Sequence, residues 1–166
     1  MPTDRPHWRR NTVLFLSGQT VSLLGSSIVQ YAVLWYLTLR TESGVVLTVA
    51  TLVGFVPQAI VSVFGGVLAD RYNRKYLVII ADGTIALTTA VLAIMLWQGQ
   101  SGLWLIYLTL AIRSAGAGIQ IPAVSALIPQ IVPTQHLMRV NGINMSIQSA
   151  MTLISPAVAA ALFAAL

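Results

Sequence analysis

Gly66-Val67-Leu68-Ala69-Asp70-Arg71-Tyr72-Asn73-Arg74-Lys75 joins two long apolar runs. From Asp70 to Lys75 the chain carries one carboxylate and three cations. Uncharged apolar sequence precedes it over 45–69 and follows it over 76–97, apart from Asp82. Both runs exceed the roughly 20 residues that a helix needs to cross about 30 Å of hydrocarbon. A short basic stop between two such runs is how a chain leaves a bilayer and turns back into it.

The same pattern extends in both directions. Further apolar spans are expected over 12–39, 103–129 and 141–166, after a polar tail over 1–11. Backbone groups cannot stay unpaired in lipid, so the spans are helices. A β-barrel needs short alternating segments, and none is present. The chain therefore reads as an all-α integral membrane protein with one helical domain over 12–166. Composition agrees. Of 166 residues, 57% are hydrophobic and 8% charged, and the mean hydropathy is +0.82. A soluble domain has about 25% charged residues. The first run is too long for a signal peptide's apolar region of about 7–15 residues. The chain stops in apolar residues at Leu166, which suggests a fragment of a longer protein.

The net charge of +5 is too scattered for a nucleic-acid surface and fits membrane orientation instead. Arg5, Arg9 and Arg10 precede the first span. Arg71, Arg74 and Lys75 follow the second, and Arg139 precedes the fifth. All seven share one side if the N-terminus is cytoplasmic, in a cell (plasma or inner) membrane. Arg40 falls on the other side. Trp8, Tyr72 and Tyr76 then sit at the inner interface, and Trp35, Tyr36, Trp97 and Trp104 at the outer one, where amphipathic rings belong.

Several residues inside the spans ask for a function. Arg113 lies about ten residues into the fourth span, and a buried arginine is costly in lipid. Asp82 is the only acid well inside a span, so it is a partner for Arg113 or a proton carrier. Gln19, Gln30, Gln58, Gln120 and Gln148 should face the bundle interior, because an amide turned to lipid stays unpaired. Pro57, Pro122 and Pro156 fall inside spans and allow kinks. Gly18, Ser22 and Ser26 make a ridge of small residues suited to close helix packing. His7 and His136 read as solvated. No metal-ligand spacing, phosphate loop or nucleophile motif occurs, which argues against an enzyme. No cofactor or metal is implied.

Asp70 ends a helix, where a carboxylate opposes the helix dipole, so it needs Arg71, Arg74 or a nearby helix N-terminus as partner. The stretch around it resembles the Gly-x-Leu-Ala-Asp-Arg-x-Gly-Arg-Lys signature of the major facilitator superfamily. Asn73 replaces a glycine, and Asn tolerates the positive φ of a tight turn. Ile112-Arg113-Ser114 with the glycines after it resembles that family's fourth-helix motif. Ser155-Pro156-Ala157-Val158-Ala159-Ala160 resembles the fifth-helix motif of its drug antiporters. The chain is similar throughout to the macrolide-efflux-type branch.

The resemblance implies twelve helices in two halves, of which these five form part of the first. It implies proton-coupled export of lipophilic, cationic drugs such as macrolides, with a siderophore-like metabolite as an alternative substrate. A truncated, non-transporting membrane fragment is the other alternative. It implies that Gly66, Asp70, Arg71, Asn73, Arg74 and Lys75 form a gating loop that locks the outward-open state. It links Arg113 to proton coupling, and it places Gln30 and Gln148 on spans that line the substrate cavity. The partners implied are the bilayer, a small-molecule substrate, protons and the remaining C-terminal helices.

Overall fold

A computed structural model of the chain describes residues 7–165. Arg5 and Leu166 lie outside the described residues. The elements are α1 (Trp8–Thr41), α2 (Gly44–Arg71), α3 (Arg74–Trp97), α4 (Leu103–Ile131), a single 3-10 turn (Thr134–His136) and α5 (Leu137–Ala165). All five helices are long and apolar enough to cross a membrane.

The helices outrun their apolar stretches. α1 begins at Trp8, so part of the expected tail is helical, and α5 begins at Leu137 rather than at 141. Hydropathy marks where hydrocarbon ends, whereas a helix continues until its terminal backbone groups find other partners. α1 ends on Glu42, in the left-handed region at φ 48°, whose N–H still reaches the Thr38 carbonyl. Ser43 then caps α2 by accepting from the Val46 N–H.

The α2–α3 connection departs from the sequence expectation. Asn73 has φ −66° and ψ 113°, so no positive φ is used. Its Oδ1 instead accepts the Lys75 N–H at 3.1 Å and caps α3. Asn serves here because its short side chain satisfies an orphan donor of the first turn, which glycine cannot do.

Neighbour contacts give the threading. Along α2, Gln58, Ser62 and Gly65 meet Ser114, Gly118 and Pro122 in turn, so α2 and α4 run parallel. Along α3, Asp82, Ile85 and Thr89 meet Gln120, Gly116 and Arg113, so α3 runs antiparallel to α4. α2 and α3 both pack chiefly on α4, and α5 chiefly on α1. α4 is thus the central helix. Its most apolar window is 44% buried, against 6–22% for the other four, yet its hydropathy is the lowest of the five. A helix shielded by protein can carry polar residues that a lipid-facing helix cannot.

Two apolar clusters close the bundle. One joins Leu16, Val78, Val124, Ile128, Val132 and Val140, with Trp8, Leu77 and Leu137 packed against it. The other joins Val33, Leu37, Ala50, Leu92, Ile106 and Leu110. The first cluster gathers the start of α1, the start of α3 and the start of α5. Arg9, Arg10, Arg71, Arg74, Lys75 and Arg139 therefore share one end of the bundle. His136 is half-buried at that end and stacks on Trp8 at 4.6 Å, so it is not simply solvated. Outer faces carry exposed Val63, Ile80, Leu87 and Leu153, as expected of lipid-facing surface.

Candidate functional site

Between the two apolar clusters lies a polar layer, built where α1, α3 and α4 meet. Arg113 is 6% exposed. Its Nη2 donates to the Ser26 carbonyl at 2.9 Å, and its Nη1 donates to Thr89 Oγ1. Thr89 sends its own hydroxyl proton to the Ile85 carbonyl at 2.7 Å, which leaves its lone pairs for the arginine. Arg113 Nε is buried and unpartnered.

Asp82 occupies a different level. Its Oδ1 accepts from Ser22 Oγ at 3.2 Å and from Gln120 Nε2 at 3.1 Å. The expected Asp82–Arg113 ion pair is not formed. Gln120 and Arg113 are seven residues apart on α4, about 10 Å along the axis. The antiparallel register sets Gln120 opposite Asp82, and Arg113 opposite Thr89. Among the described residues the only ion pair joins Asp70 and Arg74, at 3.8 Å.

A cleft of about 330 Å³ opens beside this layer. α1 lines it with Gln19, Leu23, Ser26, Gln30 and Leu34, a spacing of three and four that marks one helix face. α4 contributes Arg113, Ala117, Gln120 and Val124 by the same rule. α2 adds Gly54 and Gln58, and α5 adds Gln148 and Thr152. All five glutamines singled out in the sequence reach this one cleft. The side-chain amides of Gln19, Gln30, Gln58 and Gln148 make no hydrogen bond among the described residues, and only Gln120 is engaged.

Helix irregularities support the layer. α2 runs through Pro57, and one residue later the Gln58 N–H donates to Ser114 Oγ at 2.9 Å. A hydroxyl from a neighbouring helix is one way in which a membrane helix tolerates proline. Pro122 and Pro156 also lie inside continuous helices. On α5, Ser155 and Ala159 next to Pro156 are fully buried, which fits small residues at a close approach.

The close approaches are not all where the sequence placed them. A Cβ on Gly65 would meet the Gly118 carbonyl at 2.5 Å, and one on Gly118 would meet the Gln58 carbonyl at 2.8 Å. These two glycines let α2 and α4 touch backbone to backbone. Gly65 was hidden in the sequence beside Gly66, which faces open space here. Nothing in this conformation explains Gly66. Gly18 also faces open space, so the α1 ridge is not a packing seam at that point. Ser22 and Ser26 serve Asp82 and Arg113 instead.

Across the α2–α3 connection, Asp70 at the end of α2 is 82% exposed and pairs with the half-buried Arg74 at the start of α3. Arg71, Asn73 and Lys75 are exposed around it.

The five-helix bundle with a buried arginine and a basic loop defines a polytopic membrane protein with an internal polar cleft. The chain belongs to the major facilitator superfamily, whose family description matches residues 15–166. It is 40% identical over 157 residues to a macrolide efflux protein A of Streptococcus pyogenes, covering 95% of this chain and 39% of that protein. It is 39% identical over 113 residues to a macrolide efflux protein A of Enterococcus faecalis, covering 68% of this chain and 35% of that one. It is 30% identical over 152 residues to an enterobactin exporter of Escherichia coli, covering 90% of this chain and 35% of that exporter. The chain thus spans about two fifths or less of the curated relatives it matches. No solved structure gives a significant match.

Proposed function

We propose that these residues form the leading part of a secondary transporter that exports lipophilic drugs such as macrolides in exchange for protons. The carrying observation is the cleft. Four unpaired glutamine amides and a buried arginine line one cleft inside a membrane bundle, where unpaired polar groups are costly unless a ligand or water meets them. The likeness to two macrolide efflux proteins supports the substrate class.

In this reading the N-terminus is cytoplasmic and the protein sits in the plasma membrane. The basic end of the bundle faces the cytoplasm, as the positive-inside rule requires. The loop from Gly66 to Lys75 gates that side. The Asp70–Arg74 pair forms in one conformation and is exchanged for other partners when the halves rock. Asp82 carries the proton, and its hydrogen bonds from Ser22 and Gln120 tie its charge state to α1 and α4.

Similarity to an enterobactin exporter favours a second substrate class, an oxygen-rich metabolite of the siderophore kind. Expression of the gene at its full native length in a macrolide-susceptible bacterium tests the first reading. Resistance rises, and Asp70→Asn or Arg113→Ala returns it to the vector level while the protein stays in the membrane. Unchanged susceptibility with the protein present removes the macrolide assignment.

A further inference from the structure

We infer that the cleft recognises the uncharged or anionic, acceptor-rich part of an oxygen-rich ligand and rejects lipophilic cations that offer no acceptor oxygens. The inference rests on the transporter reading for its biological setting, but its chemistry comes from the cleft wall. That wall carries one fixed positive charge, Arg113, and no carboxylate among the described lining residues. Arg113 is bonded only to neutral oxygens, the Ser26 carbonyl and the Thr89 hydroxyl, so its charge is not neutralised locally. Its Nε remains a free donor, buried at 6% exposure of the residue.

The one acid of the layer is bonded away from Arg113. Asp82 lies seven residues from the level of Arg113, accepts two hydrogen bonds at one oxygen and is not part of the cleft lining. A cation at the level of Arg113 would therefore meet a like charge with no carboxylate bonded to it, while Asp82 lies behind Gln120 at the other level of the wall. An ester, lactone, carboxylate or catecholate oxygen can accept from the amide N–H groups, whereas a cation without N–H groups gains no hydrogen bond from the amide oxygens. Gln30 and Gln148 present those amides from α1 and α5, on helices that pack against each other. Gly54 makes room for the first of them, because a Cβ there would come within 2.9 Å of Gln30 Nε2. The preference thus differs from that of a cationic-drug site. A macrolide's lactone and sugar oxygens, rather than its amine, would dock on this wall.

The test is equilibrium binding to the full-length gene product in lipid nanodiscs. Four probes are used: erythromycin, its uncharged N-demethyl-N-acetyl derivative, a triscatecholate, and tetraphenylphosphonium. The proposal expects the acetyl derivative to bind within about threefold of the parent, or the triscatecholate to bind, and tetraphenylphosphonium not to compete. Gln30→Leu and Gln148→Leu each weaken the bound oxygen-rich probe about fivefold, the effect of one lost hydrogen bond. Competition by tetraphenylphosphonium, or absent binding of every oxygen-rich probe, overturns it. So does a loss of about tenfold or more on removing the macrolide's charge, if the triscatecholate also fails to bind. These ligand comparisons use the unaltered protein and do not depend on a variant folding. Binding as expected without drug uptake by vesicles removes the transport reading and leaves the cleft chemistry in place. Uptake restricted to cations does the reverse.

Discussion

Gln120 Nε2 donates to Asp82 Oδ1 at 3.1 Å, and this contact, not one with Arg113, holds the only acid inside the spans. The membrane layer is therefore two separate polar knots, each tied to α1 through a serine. Asp82 should therefore couple to Gln120 in stability measurements, and not to Arg113. A double-mutant cycle with Asp82→Ala and Gln120→Ala should give a coupling of about 1 kcal/mol or more. The cycle with Asp82→Ala and Arg113→Ala should stay below about 0.5 kcal/mol. Unfolding in mixed detergent micelles reads both. A large Asp82–Arg113 coupling would mean that the ion pair exists after all.

Gly65 and Gly118 are contact glycines, and Gly18 and Gly66 are not. Gly65→Ala and Gly118→Ala force a Cβ against carbonyl oxygens that belong to helix backbone. Each should lower stability by about 1–3 kcal/mol, as overpacking does. Gly18→Ala and Gly66→Ala meet open space. They should be neutral or gain up to about 1 kcal/mol from helix propensity. Thermal unfolding in detergent separates the two pairs. Loss of export in a well-folded Gly66→Ala protein would place that glycine's role in another conformation.

Asn73 acts as a cap, so replacements rank by capping ability. Asn73→Ala should cost about 1 kcal/mol, whereas Asn73→Gly should cost only a few tenths, roughly 0.3 kcal/mol. A turn requiring positive φ would give the opposite sign for glycine, which would stabilise it. Denaturation midpoints of the two variants decide between these accounts.

Ser114 matters because Pro57 disturbs the ladder of α2. Ser114→Ala leaves the Gln58 N–H without its neighbour and should cost about 1 kcal/mol. In a Pro57→Ala background the helix recovers its own bonding, so the same serine change should cost much less. Equal losses in both backgrounds would separate Ser114 from the proline.

The fold was legible because hydrocarbon thickness imposes a length on every apolar run. The five spans, the basic end of the bundle and the turn at 70–75 all followed from that constraint. That the five glutamines gather at one cleft was legible too, although Gln148 there is exposed and only Gln120 is hydrogen-bonded. Pairings between helices were not legible. Whether Asp82 meets Arg113 or Gln120 depends on how far α3 slides along α4, and a shift of two turns exchanges the partners. Gly65 was missed for a related reason. Two adjacent glycines look alike in sequence, and only the crossing of α2 over α4 decides which one is touched. Asn73 was read through backbone freedom, although its side-chain oxygen was the relevant property.

The central claim is that the cleft between the apolar clusters serves proton-driven export. Uptake of radiolabelled erythromycin into inside-out vesicles tests it most directly, using the gene at full native length. The account predicts that an imposed proton gradient drives accumulation, that a protonophore abolishes it, and that Asp82→Asn abolishes the gradient dependence. Accumulation indifferent to the protonophore, or an Asp82→Asn protein that responds to the gradient like the unaltered one, would contradict it.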